Sequence, residues 1–288
     1  MRKNIVAIVL ALLVTVVLFF FLFKPILQHP NGYVFSRSGD AMKSYFNFSY
    51  YLKYDDGIKH DGINYPYGDH LQYINSHPLY VQVLKFVDHH IYPIANYGVG
   101  ILNLTMILSL ILAVPFLFLI LRKYALPRWY AAVLSVIFLL LTPQFDRIHG
   151  HFEMVYAFFL PMYWYLLIRW REGKNRWLWS SLLIISALVG GFTSAYYASF
   201  YAIFLLGILF VEVWNHRNKL KQFLPAGLSL LLLAVIPLVV VKGLVSATDW
   251  VSDRPYNPYG FDIYHATFLS IFLPFISPLK MLIGNYVD

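Results

Sequence analysis

The chain alternates long apolar runs with short polar segments. The first run, Ile5–Phe23, follows Arg2 and Lys3 and closes at Lys24-Pro25. About 20 mostly apolar residues let an α-helix cross a bilayer, so this run predicts a spanning helix. It is too long for a secretory apolar core and no small-residue cleavage pattern follows, which makes it an uncleaved anchor. Six further runs follow: Val99–Leu121, Trp129–Thr142, Met154–Ile168, Trp177–Phe192, Ala195–Trp214 and Leu224–Val241. The pattern therefore predicts an all-α, polytopic bundle of seven spans. Several runs are short, as expected of helices buried among neighbours. A last apolar stretch, His265–Gly284, is broken by Pro274 and Pro278 and reads as an eighth span or an interfacial helix.

Between the first two spans lies Lys24–Tyr97, too long to be a mere connector. It holds a helical stretch, Ala41–Tyr54, in which Phe46, Tyr50 and Tyr54 share one face. An aromatic amphipathic helix beside a span suits the water–lipid interface. A turn around Pro66 and Gly68 and a second amphipathic stretch, Pro78–Ile91, complete the loop. The domain reading is a membrane module over residues 1–241, with the loop at 24–97, and a separate C-terminal segment, 242–288.

Composition agrees with this reading. Hydrophobic residues make up 59% of the 288, and charged residues only 12%, about half the share in soluble domains. Such a chain is neither a soluble enzyme nor a disordered protein, and with no cysteine it is not a disulfide scaffold. The net charge of +8 resembles a nucleic-acid footprint, but its distribution says otherwise. Four short segments, 1–4, 122–128, 169–176 and 215–223, carry 12 of the 22 Lys and Arg. Short loops dense in Lys and Arg stay cytoplasmic. The N-terminus is therefore expected on the cytoplasmic side of a membrane whose lipids surround the helices, and the charge is an orientation signal with no nucleic-acid partner.

The same division places 12 of the 14 acidic residues and 9 of the 10 histidines on the outer side, where the candidate chemistry gathers. Asp40 opens the first amphipathic helix. It reads either as an N-cap or as a general base at the membrane surface. A second concentration lies in the turn Pro143–Glu153, where Asp146, Arg147, His149, His151 and Glu153 fall within eight residues. Ionisable groups beside a membrane are costly unless paired or functional. Asp146, His149 and Glu153 offer ligands for a divalent metal ion. Arg147 could clamp a phosphate. An ion-pair network at a site entrance, or a merely solvated turn, explains the same residues. The segment Gly190–Tyr197 reads as close helix packing or a backbone approach to a ligand, packing being favoured.

With these residues in view, the chain resembles the membrane glycosyltransferases of the GT-C superfamily, in an uncharacterised bacterial branch. The resemblance rests on Ser38-Gly39-Asp40-Ala41 with Tyr45, Asn64-Tyr65-Pro66-Tyr67-Gly68 and His77-Pro78-Leu79. It continues in Pro143 to Phe152, Pro161, and Arg254-Pro255-Tyr256-Asn257-Pro258-Tyr259-Gly260-Phe261. It implies transfer of a sugar from a polyprenyl-phosphate carrier to a glycan, lipid or protein acceptor on the outer face. Asp40 matches the first-loop acid, the base; Asp146 or Glu153 matches the second-loop acid that helps hold a metal in some members. Substrate contacts are expected from Tyr65, Tyr67, His77, Arg147, His151, Arg254 and Tyr259; an interfacial aromatic belt explains the tyrosines equally. Because superfamily members usually continue into more helices, the chain reads as the front module of a longer protein or as a minimal member. A transporter or lipid-linked-sugar flippase, and a non-catalytic assembly subunit, are the rival readings.

Overall fold

The computed structural model describes residues 2–37 and 39–254. The first of two compact units, Met1–Trp250, carries every helix and strand below. Helix α1, Arg2–Leu22, is followed by a short turn of helix, α2, Lys24–Gln28. The long loop holds α3 (Gly39–Tyr54), a two-stranded antiparallel hairpin of β1 (Lys59–His60) and β2 (Asp69–His70), and α4 (Pro78–His90). The remaining helices are α5 (Gly98–Ile111), α6 (Ala113–Lys123), α7 (Arg128–Leu140), α8 (Pro143–Arg147), α9 (Phe159–Arg171), α10 (Arg176–Thr193), α11 (Ala195–Asn215) and α12 (Leu220–Thr248).

Among the described residues, six helical segments are long and apolar enough to cross a membrane: Lys3–Leu22, Ala95–Lys123, Arg128–Arg147, Arg176–Thr193, Ala195–Asn215 and Arg217–Thr248. The fourth expected run differs. Its helix, α9, starts at Phe159 and has 13 residues, because residues 152–158 form a 3-10 turn and irregular backbone instead. Helix α12 continues to Thr248 with Pro225 and Pro237 inside it, past the expected end at Val241. The hairpin was not foreseen, since strands of two residues leave no alternation to read. His265–Gly284 lies outside the described residues.

The aromatic stripe of α3 is present. Phe46 and Tyr54 are exposed, with the Tyr50 ring between them at 5.4 and 4.9 Å. The opposite face buries Ala41, Tyr45, Phe48, Tyr51 and Leu52.

One end of the bundle is an ion-pair network. Glu172 pairs with Lys123 and with Arg169 (3.0 Å), while Glu212 pairs with Arg171 and His216. Three of the four basic segments thus meet where α6, α9 and α11 end. The opposite end is tied by buried polar groups. Asn103 of α5, fully buried, donates from Nδ2 to Pro30 O and Tyr33 O, both at 2.7 Å, and accepts from the Tyr45 hydroxyl. That hydroxyl also accepts from Phe35 N–H (3.1 Å). Asn31 Oδ1 accepts from Gly100 N–H at 2.6 Å. Residues 30–35, which lead from α2 toward α3, are therefore fixed to the bundle.

Helices α10 and α9 approach closely because Gly190 has no side chain: a Cβ there would lie 2.2 Å from the Tyr163 hydroxyl. At Gly191 the neighbours would be Val241 at 2.8 Å and Ala198 at 3.0 Å. The packing reading of this segment thus accounts for both glycines. Gly190→Ala is expected to cost about 1–3 kcal/mol through overpacking against buried Tyr163. Thermal melting in detergent should show the lowered midpoint.

Candidate active site

Asp40 sits in the first turn of α3, one residue after its start at Gly39. Its carboxylate is half-exposed, and Oδ2 lies 3.5 Å from Nδ1 of His151. The N-terminal turn also favours negative charge through the helix dipole. Behind His151 the chain turns inward, burying Phe152 and Glu153. Asp40, His151, Phe152, Glu153, Met154, Asn75 and Tyr196 line one cavity of about 160 Å³. Residues from α3, the segment before α4, the turn after α8 and the start of α11 thus converge there.

Glu153 is only 8% exposed. Its Oε1 accepts from the backbone N–H of His77 at 3.1 Å. His77 precedes α4 in a left-handed conformation and gives that helix no side-chain cap. Glu153 therefore supplies an acceptor at a helix start, where backbone N–H groups lack intrahelical partners. Burial raises the Glu153 carboxyl to about 7; the His77 N–H, Ser194 hydroxyl, Ser76 N–H and the charge of Lys43 pull the other way.

His77 itself is fully buried. Its Nδ1 lies 2.8 Å from the Tyr156 hydroxyl, and its ring packs edge-on against Phe48 and Tyr156. Burial lowers His77 to about 3, so the imidazole is neutral, and burial also keeps the Tyr156 phenol protonated. The phenol and Nδ1 share one hydrogen bond, whose donor is set by the imidazole tautomer. His77 supports Glu153 from behind and is not among the lining residues of the cavity.

The other expected site residues lie elsewhere. Tyr65 and Tyr67 project from the hairpin tip, 87% and 78% exposed, and neither lines the cavity. Asp146, Arg147 and His149 are exposed on the turn that contains α8. Among the described residues no group of three His, Asp or Glu side chains is arranged to hold a metal ion. Asp146 and His149 are exposed while Glu153 is buried against the start of α4, so these three do not converge. Arg254 belongs to the second unit, Val251–Asp288, and Tyr259 lies outside the described residues.

Asn75 and Lys43 carry no functional signal in the sequence, and Tyr196 enters only as part of the segment Gly190–Tyr197. Asn75 adopts φ 41°, and the run Asn75-Ser76-His77-Pro78 carried the turn signal. Tyr196 follows the break between α10 and α11 at Ser194.

The raised Glu153 pKa links stability to pH. The folded chain binds a proton that the unfolded chain, with a carboxyl near 4.5, releases earlier. This stabilisation is complete below about 4.5 and is lost as pH rises through about 7. Its size is on the order of 3 kcal/mol. Melting profiles from pH 5 to 8 should therefore fall more steeply for the wild type than for Glu153→Gln; parallel profiles would contradict the shift.

No curated protein and no solved structure matches the chain. A family model described as "Domain of unknown function (DUF6311)" matches residues 11–284. Spanning nearly the whole sequence, that match makes the chain a member of the DUF6311 family.

Proposed function

We propose that this protein is a membrane glycosyltransferase of GT-C type, moving a sugar from a polyprenyl-phosphate carrier to an acceptor at the outer face of a bacterial inner membrane. The observation that carries the reading is that Asp40 lines one cavity with His151 and Glu153, more than a hundred residues along the chain. Asp40 is accessible and its neighbour His151 is aromatic and basic, which suits proton removal from an incoming hydroxyl. The acceptor oxygen attacks the anomeric carbon as its proton passes to Asp40. The bond from that carbon to the carrier's phosphate oxygen breaks, and the phosphate leaves with the electron pair.

The placement of the site favours a lipid-borne donor. In this reading the basic network is the cytoplasmic end, and α9, the fourth apolar run in chain order, is a further membrane segment running between that network and the site. Thirteen residues extend about 20 Å, against a hydrocarbon core of about 30 Å. The backbone beyond Phe159, and with it Glu153, then lies near or below the outer boundary of the apolar layer. A carrier whose prenyl chain stays in the bilayer could present its phosphate there without leaving the membrane.

The test is direct. Purified protein in lipid vesicles is given a polyprenyl-phosphate sugar labelled in the sugar, with crude envelope extract as acceptor. Label should move to a product no longer released by mild acid hydrolysis of the carrier. Recovery of all label on the carrier, across a panel of donors and extracts, would refute the reading.

A further inference from the structure

The cavity beside Asp40 is chemically one-sided. Its lining offers carboxyl, imidazole, amide, phenol and thioether groups, but neither Lys nor Arg. A phosphate entering it would face the Asp40 carboxylate and the Glu153 carboxyl, and the one lining group able to carry positive charge, His151, already sits beside Asp40; like charges at contact are repulsive. The same groups suit a ligand rich in hydroxyls. Carboxyl oxygens accept from O–H groups, and the Asn75 amide both donates and accepts. Tyr196, 56% exposed at the start of α11, presents an aromatic surface at the edge of the cavity. Its neighbour Tyr197 is buried, so the two adjacent tyrosines serve packing and surface separately.

Size narrows the ligand further. About 160 Å³ is well below the 300–1,000 Å³ typical of sites for drug-sized ligands, enough for a single ring. Lys43 lies one turn beyond Asp40 on α3, exposed and close enough to act on the Glu153 carboxyl. Residues three apart share a helix face, so this cation is carried on the face that bears Asp40 without lining the cavity.

We infer that the cavity between Asp40 and Glu153 is a subsite for one neutral, hydroxyl-bearing ring, and that phosphate is excluded from it. Glu153 is the buried anchor of the subsite, hydrogen-bonding a ring hydroxyl while the His77 N–H holds its other side. This deepens the glycosyltransferase reading by giving the cavity to a sugar ring and keeping the carrier's phosphate outside it, toward Lys43.

Saturation-transfer NMR on the full chain in nanodiscs tests it, with methyl glucoside, galactoside, mannoside and N-acetylglucosaminide as probes. At least one glycoside is expected to receive saturation, unaffected by inorganic phosphate. Tyr196→Ala and Glu153→Gln should each weaken its affinity about tenfold, the loss of one good contact. Tyr196 is exposed, so its replacement leaves folding intact even if Glu153→Gln does not. Displacement of the glycoside by inorganic phosphate overturns the inference, as do unchanged affinity in Tyr196→Ala and the absence of any glycoside signal. Because binding is read without turnover, a failed transfer assay with intact glycoside binding would count against the glycosyltransferase reading alone.

Discussion

Asp40→Asn is expected to lower kcat for glycan transfer by about 10²–10⁴-fold, the range for losing a positioned general base. Asparagine keeps the shape and one acceptor oxygen, so the first turn of α3 and the cavity wall should persist. Substrate affinity should change far less than kcat, because the lost step is proton removal in the transition state. The partner residue gives a graded comparison. His151 Nδ1 is 3.5 Å from the carboxylate and half-exposed, so the ion pair is weak. His151→Gln should therefore cost much less than Asp40→Asn. Initial rates at saturating and limiting donor separate these effects; equal losses in both variants would move the base role away from Asp40.

The largest structural effect is expected at Asn103. Asn103→Ala removes both donors to Pro30 O and Tyr33 O and the acceptor for Tyr45. Each polar group left without a partner in a buried setting costs about 1–3 kcal/mol, so a loss of at least about 3 kcal/mol should follow. Tyr45→Phe offers the milder control. It keeps the ring against Phe152, 5.0 Å away, and gives up only the hydroxyl contacts. The consequence reaches the site because residues 30–35 are held by these bonds and lead directly into α3. Thermal melting in detergent should rank wild type above Tyr45→Phe and Tyr45→Phe above Asn103→Ala. Transfer activity measured well below each midpoint should fall in the same order if residues 30–35 position Asp40.

These two residues mark what was legible in the sequence. Asp40 stood out because a carboxylate beside an apolar run and an amphipathic helix has few uses. Asn103 did not, because it sits inside the apolar run Val99–Leu121 and a window of hydropathy averages it away. The helices flanking the site were also legible. Apolar spacing gave Ala41–Tyr54 against Gly39–Tyr54 in the structure, and Pro78–Ile91 against Pro78–His90.

Contacts between distant segments were not legible. Glu153 and His77 are 76 residues apart, and nothing local says that one accepts from the backbone of the other. His77 accordingly read as a substrate contact, whereas its ring is fully buried and its backbone serves the carboxyl. The turn Pro143–Glu153 looked uniform in sequence and divides in space: Asp146, Arg147 and His149 face outward, while Glu153 is withdrawn into the fold. Charge density located the region, and burial separated its members.

The most direct measurement uses a donor carrying one label in the prenyl chain and another in the sugar, added to vesicles in which the Asp40 end faces the medium. If Asp40 activates an acceptor at this cavity, the labels should part, the sugar entering product while the prenyl phosphate stays in the lipid. In Asp40→Asn vesicles they should remain together. Labels that cross the bilayer together without separating, at equal rates in wild type and variant, would contradict transfer and point to movement of the intact carrier.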